Sequence, residues 1–375
     1  MKISLNSFKF MFILLFVSFK VFADPELKQS KSFNRVFAAN STINVELINK
    51  YGEIVVEGWN KDSVKVEIIV TAVAEEGSHA QKMLDRVEIN FSESLEYAKI
   101  ETFIDRSKGT FTELINKIAD YSKSVLDENN LQIDYKIYVP KGASLNINNK
   151  FGGTFIYNFL GKLNLVMSHG HLKLEDLHQT ASLDLSFGSA EIKYLKDAMI
   201  NLKISDLEIV RADQLSLTSH SSEIVLTSVE NLSMDSRNDK IKLEKIANIK
   251  GNSNFTKLNI DQLSKEMDLK MVYGNLSVAK VQNGFSGINL DGQFVDMKLM
   301  IDKTAAYEMD IQAPKNKTNL SKILGGLLKM GGENNHSSLI STGLVNNSGK
   351  NNLNNTNVAK ITIKANNGNV VIDTQ

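Results

Sequence analysis

The chain has 375 residues, 43 Lys and Arg against 43 Asp and Glu, no Cys, three Pro, one Trp and 42% hydrophobic residues. This is ordinary globular material, long enough to bury a large core, and it excludes a disordered chain or a disulfide-stapled scaffold. The lack of Cys removes thiol nucleophiles, thiolate zinc sites, redox pairs and a lipidated cysteine. The balanced charge gives no electrostatic footprint for nucleic acid, which needs clustered Lys and Arg.

Lys2 and Lys9 precede the apolar run Phe10 to Phe19, and Val21, Phe22 and Ala23 supply a cleavage site before Asp24. Residues 1–23 therefore read as a secretory signal peptide. The run is half the length of roughly 20 residues that a helix needs to cross a bilayer, and Lys20 interrupts it, so a membrane anchor is the weaker reading. Cleavage would leave 40 basic and 43 acidic residues in 24–375, a formal charge of −3 with no stable membrane span. The expected location is the periplasm or the cell surface.

From Phe33 to Val73 apolar and polar residues alternate: Ile43, Val45 and Leu47, then a turn at Tyr51-Gly52, then Ile54 and Val56, then Val64, Val66 and Ile68. Period-2 runs between turn residues predict strands. Ser78 and Gln81 predict a capping box opening a helix through Arg86, and Thr110 with Glu113 opens a second through Leu126. Strands return at 87–91, 98–103 and 131–139, and Pro140-Lys141-Gly142 ends this α+β opening region, 24–140.

Beyond Ala143 short Leu-x-Leu units recur, and from 207 to 281 the period is explicit. One column is Leu207, Ile224, Ile241, Leu258 and Leu276, a second Ile209, Leu226, Leu243, Ile260 and Val278, and a third Ala212, Val229, Ile246, Leu263 and Val281. The steps are 17, 17, 17 and 18 residues. Residues two apart on a strand share a face, so the first two columns point inward while Glu208, Val225, Lys242, Asn259 and Ser277 point out. A unit of this size is too short for a strand and a helix. It predicts a mainly β fold, a β-solenoid (single-stranded β-helix) of short coils of about 17 residues, two or three short strands each, over 141–312. Ser219, Ser236 and Ser253 repeat at the same step and predict a hydroxyl column bonding mutually at a bend. After Met309 the rhythm fails. A short amphipathic stretch at Leu320 to Leu328 and an Asn-rich tract to Asn357 predict a helix and a loop over 313–357, and 358–375 returns to strand and closes the last coil. The opening region and this last segment are the expected caps.

The Ile43-Asn-Val45 unit, the Tyr51-Gly52 turn, Ile54-Val55-Val56, the Leu-x-Leu units and the closing Asn367-Gly368-Asn369-Val370 resemble the "putative adhesin" family of exported bacterial β-strand-repeat domains of unknown function, including the head-GIN type. The resemblance implies an exported, non-catalytic, adhesin-like protein of β-helical fold and carries over no catalytic residue.

His169 and His171, followed by Glu175, Asp176 and His178, suggest a metal site, but Gly170 sits between the first two in a turn, so polar turn positions are preferred. Asp184, Asp206, Asp235, Asp261 and Asp291, with Arg211 and Arg237, could serve a polysaccharide-acting β-helix enzyme. They fall on different coils, and coils this short have no length for cleft walls. Trp59 and Tyr51 could stack on a sugar, and core packing is the preferred reading for both. The expectation is therefore a protein without catalytic, metal or cofactor-binding residues, of unspecified ligand-binding residues, whose partner is a glycan or a cell-surface protein. The alternatives are the enzyme and a sensing or regulatory partner in the envelope.

Overall fold

A computed structural model describes residues 27–105, 130–320, 329–331, 338–345 and 358–375. The expected signal peptide, the second helix from Thr110 and most of the Asn-rich tract lie outside these residues. The fold is mainly β, with 22 strands in a single sheet, one α-helix and one 3-10 turn among the described residues. No described helix is long and apolar enough to cross a membrane.

Positions 17 residues apart pair in register. Leu207 pairs in parallel with Ile224 and Ile224 with Ile241, and Leu217 pairs with Met234, so like positions of successive repeats sit side by side. All fifteen members of the three apolar columns are buried, each at most 2% exposed. Glu208 and Lys242 are exposed and Val225, Asn259 and Ser277 half-buried, so the alternation does set the faces. The strands are longer than the short ones expected. Ser189–Lys203, Asp206–His220 and Glu223–Arg237 each run 15 residues and Lys240–Val281 runs 42, because ladder pairing continues through the bends.

At the N-terminal side, Asn44–Lys50 lies between Tyr97–Ile104 and Ser144–Lys150, in parallel with both. Ile54–Trp59 likewise pairs with Leu131–Pro140 and Thr154–Tyr157. Antiparallel pairing then carries the sheet from Leu131–Pro140 to Ser63–Ala74 and on to Leu27–Ala38. Helix Gly77–Asp85 buries Ala80, Met83 and Leu84. Its N-cap is Glu76, and Ser78 makes no cap bond. The capping box is absent because the helix starts one residue before Ser78, whose hydroxyl instead donates to Glu76 Oε2 at 3.3 Å.

Two further expectations are corrected at the C-terminal side. Ser338–Val345, inside the tract read as loop, is a strand antiparallel to Tyr307–Pro314, and Lys329–Gly331 pairs with it. Its Leu339-Ile340 and Leu344-Val345 pairs supply the apolar residues that the Asn-rich composition hides. The final segment does not lie last in the sheet. Ala359–Asn366 sits between Gly287–Ile301 and Tyr307–Pro314, parallel to both, so the chain returns to fill a gap left between earlier strands.

Tyr307 marks a weakness in this core. Its ring is fully buried beside Phe285, its hydroxyl has no hydrogen-bond partner among the described residues, and burial pushes the phenol up to about 12. An unsatisfied buried donor costs about 1 to 3 kcal/mol, so Tyr307→Phe is expected to stabilise the protein by about 1 kcal/mol in urea denaturation. A loss of stability would show that the hydroxyl does useful bonding.

Candidate functional site: an exposed ridge of left-handed residues

At one bend of each repeat a residue other than glycine adopts the left-handed conformation. These are Tyr51, Phe151, His169, Phe187, Ile204, Ser221, Asn238, Phe255, Tyr273, Phe294 and Asn367, with φ between 48° and 65°. Successive members are tied by backbone bonds: Phe151 N–H donates to Ser168 O, His169 to Ser186 O, Phe187 to Lys203 O and Ile204 to His220 O, at 2.9 to 3.0 Å. They therefore stand one strand spacing apart, about 4.8 Å.

That spacing forces the rings together. Tyr51 stacks on Phe151 (centroids 5.4 Å apart), and His169 contacts Phe151 and Phe187, each at 4.9 Å. Phe255, Tyr273 and Phe294 form a second run at 4.8 and 5.0 Å, stacked nearly parallel at 7° and 10°. Ring faces cover one another in the second run, whereas His169 meets Phe151 edge-on at 66° and Phe187 at a tilt of 57°. Phe151, Phe187, Ile204, Phe255, Tyr273 and Phe294 are 42 to 55% exposed.

The residue after each ridge member explains how the bend is held. Gly52, Gly152, Gly170 and Gly188 follow the first four, and a Cβ on Gly152, Gly170 or Gly188 would come within 1.8 to 2.2 Å of a carbonyl oxygen in the adjacent repeat. Only glycine permits that approach. From Ser205 onward side-chain oxygens take over. Ser205 Oγ accepts Gly188 N–H (3.2 Å), Ser222 Oγ accepts Ser205 N–H (3.3 Å), and Asp239 Oδ1 accepts Ser222 N–H (2.8 Å). The hydroxyl column read from the sequence converges here, but not on itself. Ser219 and Ser236 both donate to Asp239 Oδ2 at 2.6 Å, while the buried Ser253 hydroxyl has no partner among the described residues. A buried carboxylate outcompetes another hydroxyl as acceptor.

The two aromatics assigned to the core are not buried. Tyr51 is half-exposed on the ridge with Lys50 Nζ 4.2 Å from its centroid. Trp59 is also half-exposed, stacked on Tyr138 at 5.3 Å, with its Nε1 donating to Ser63 O (2.8 Å) and Lys61 over its face. Both sit where the chain bends or a strand ends, and alternation says nothing about such positions.

The histidines are separated in use. His169 is a ridge member, His171 Nδ1 lies 2.8 Å from Ser189 Oγ, and His178 packs on Tyr194 at 5.1 Å. Among the described residues no group of three His, Cys, Asp or Glu could hold a metal ion. Asp184, Asp206, Asp235, Asp261, Asp291, Arg211 and Arg237 are all exposed. Each carboxylate with a lowered pKa has a local cause. The Tyr194 hydroxyl, with help from Arg211, holds Asp213 below the usual range, and Thr304 does the same for Asp302. A polar hollow of about 750 Å³ lies beside the far end of the ridge, lined among others by Asp291, Gln293, Gln312, Lys317, Lys364 and Asn366.

The ridge escaped the sequence reading although it leaves a signal. Tyr51-Gly52, Phe151-Gly152, His169-Gly170, Phe187-Gly188 and Tyr273-Gly274 are aromatic-Gly pairs, and those from 151 to 188 recur every 18 residues.

Comparisons with known proteins add likenesses of structure. No family profile and no curated protein matches the chain. Similar solved structures include a "putative cell adhesion protein" of Clostridium sporogenes, 11% identical, with 92% of this chain and 100% of that chain covered at a TM-score of 0.19. A "putative adhesin" of Parabacteroides merdae is 9% identical over 72% of this chain and 96% of that chain at 0.36. A "putative lipid binding protein" of Parabacteroides distasonis is 9% identical with the same coverage at 0.33. Likeness at this level assigns no role to any residue here.

Proposed function

We propose that this chain is an exported, non-catalytic, adhesin-like binding module: a β-solenoid of about 17-residue coils that meets its partner along the exposed ridge. The observation that carries the reading is the cost of the ridge. A bulky residue held at positive φ costs on the order of 1 to 2 kcal/mol, where Gly or Asn would cost little, and an apolar rim in water gains nothing from burial. The ring stacking offsets this by about 0.5 to 1.5 kcal/mol per pair, so folding alone gives little reason for the aromatics. Two exposed, largely aromatic runs, Tyr51 to Ile204 and Phe255 to Phe294, separated by Ser221 and Asn238, are the kind of surface that marks an interaction site. The in-register pairing of successive repeats supports the solenoid reading, and the antiparallel strands with helix Gly77–Asp85 are suited to close its first end.

Export follows from the reading of residues 1–23, and protein from the native host is expected to begin at Asp24. N-terminal sequencing that finds Met1 would overturn it.

The functional test is a glycan and cell-surface binding screen, run beside hydrolase and lyase assays on the same polysaccharides. The double variant Phe187→Asn with Phe255→Asn is expected to change stability by no more than about 1 kcal/mol, since lost stacking and relieved strain oppose each other. It is expected to weaken binding by tenfold or more, about 1.4 kcal/mol. Turnover of any polymer that disappears when acids lining the hollow, such as Asp291, are replaced would promote the enzyme alternative.

A further inference from the structure

We propose that Asn283 is a site of spontaneous deamidation, and that the carboxylate so formed unties the turn that seats the C-terminal strand. The site lies at the bend opposite the ridge and does not depend on the binding reading above.

An asparagine followed by glycine is the pair in which the next backbone nitrogen attacks the side-chain amide most readily, because glycine has no Cβ to obstruct the approach. The chain contains two such pairs, Asn283-Gly284 and Asn367-Gly368. In the reaction the glycine nitrogen loses its proton and bonds to the asparagine Cγ, the Cγ–Nδ2 bond breaks, and ammonia leaves as a succinimide ring closes. Water opens the ring at either carbonyl and leaves aspartate, or isoaspartate with the chain running on through the side-chain carboxyl. Water is the sole co-reactant.

The fold separates the two pairs, because ring closure must turn the peptide that joins the two residues. Asn283 and Gly284 are both exposed in a turn. Gly284 has φ of 86°, a Cβ added to it would meet nothing within 4 Å, and its N–H makes no backbone hydrogen bond among the described residues. That peptide is free to turn and its nitrogen is open to base. The Asn367-Gly368 peptide is held. Gly368 is buried, so close to the neighbouring strand that a Cβ on it would stand 1.8 Å from Val295 O. Asn367 O accepts from Lys317 Nζ at 3.4 Å, and the next residue, Asn369, donates its N–H to Asp296 Oδ1 at 2.9 Å. Turning this peptide disturbs all of these contacts and raises the barrier.

The amide of Asn283 ties two turns together. Its Nδ2 donates to Thr304 Oγ1 at 3.1 Å, while the Thr304 hydroxyl donates to Asp302 Oδ1 at 2.6 Å and the Thr304 N–H to the same oxygen at 3.0 Å. Within that second turn Lys303 N–H donates to Gln375 O at 2.9 Å, and Gln375 N–H donates to Ile301 O at 3.0 Å. The turn therefore holds the end of strand Val370–Thr374. A carboxylate at position 283 has no hydrogen to give, and Thr304 has a single hydroxyl hydrogen for two carboxylates. The tie is lost and a like charge stands near Asp302.

The test incubates the chain from Asp24 in warm, mildly alkaline buffer and follows both pairs by peptide mapping with mass spectrometry. Asn283 is expected to react at least about tenfold faster than Asn367, which is about 1.4 kcal/mol of barrier. In guanidinium, where both pairs are unfolded, the two are expected to react at similar rates. An unreacted Asn283, or a native rate ratio equal to that in guanidinium, would overturn the site. Hydrogen exchange reads the consequence. Asn283→Asp is expected to speed exchange at the Lys303 and Gln375 amides by at least about fivefold and to leave the Leu243 amide unchanged, since opening there is local. Unchanged exchange at Lys303 and Gln375 would overturn the untying while the deamidation site stands, and equal acceleration at Leu243 would show a loss of global stability in its place.

Discussion

Asp239→Ala is expected to lower the free energy of unfolding by about 3 to 5 kcal/mol, with the fold intact under native conditions. The carboxylate is buried and accepts four bonds: from Ser219 Oγ and Ser236 Oγ at 2.6 Å, from Ser222 N–H at 2.8 Å and from Arg237 N–H at 3.0 Å. Alanine removes the acceptor and strands the Ser219 hydroxyl and two backbone donors where water has little access, while Ser236 keeps Thr256 Oγ1 at 2.8 Å as a partner. Asp239→Asn keeps one acceptor oxygen and should fall between. A double-mutant cycle in guanidinium separates the network from mere cavity formation. Ser219→Ala is expected to cost about 1 to 2 kcal/mol alone and close to nothing beside Asp239→Ala. Additive costs would show that the two side chains stabilise the bend independently.

The second large effect belongs to the apolar columns. Leu243→Ala and Ile260→Ala are each expected to cost about 2 to 5 kcal/mol, because both side chains are fully buried in a core continuous along the sheet and neither site can collapse without moving its paired strands. Lys242→Ala and Asn259→Ala, one residue earlier, are expected to stay within about 0.5 kcal/mol. Lys242 makes only an exposed contact of 3.9 Å with Glu244, which water and salt screen. Chemical denaturation that gave equal costs at both kinds of position would refute the inward and outward assignment.

The bends are where the sequence reading lost resolution. Alternation reports which side of a strand is wet, so it located Leu243 and Lys242 correctly. At a bend the side chain leaves both faces, and period 2 carries no information about Tyr51, Phe187 or Phe255. Their placement depends on positive φ and on the ring of the neighbouring strand, a residue 18 to 21 positions away or, for Tyr51 and Phe151, 100 positions away. The serine column shows the same limit in another form. Its period was legible, but its acceptor, Asp239, lies 20 residues from Ser219 and breaks the repeat's own chemistry, since the equivalent positions hold Ser205, Ser222 and Thr256.

The sequence by itself determined the mainly β character and the buried or exposed state of the apolar columns, because these follow from burying apolar side chains at period 2. Tertiary structure alone decided three other things. It inserted Ala359–Asn366 between strands that precede it, a choice set by which open edge was free to pair. It recruited Ser338–Val345 out of an Asn-rich tract into an antiparallel pair. It also aligned strained aromatic residues into a row, because parallel in-register pairing places like beside like at one strand spacing, and no single stretch of the sequence contains that geometry.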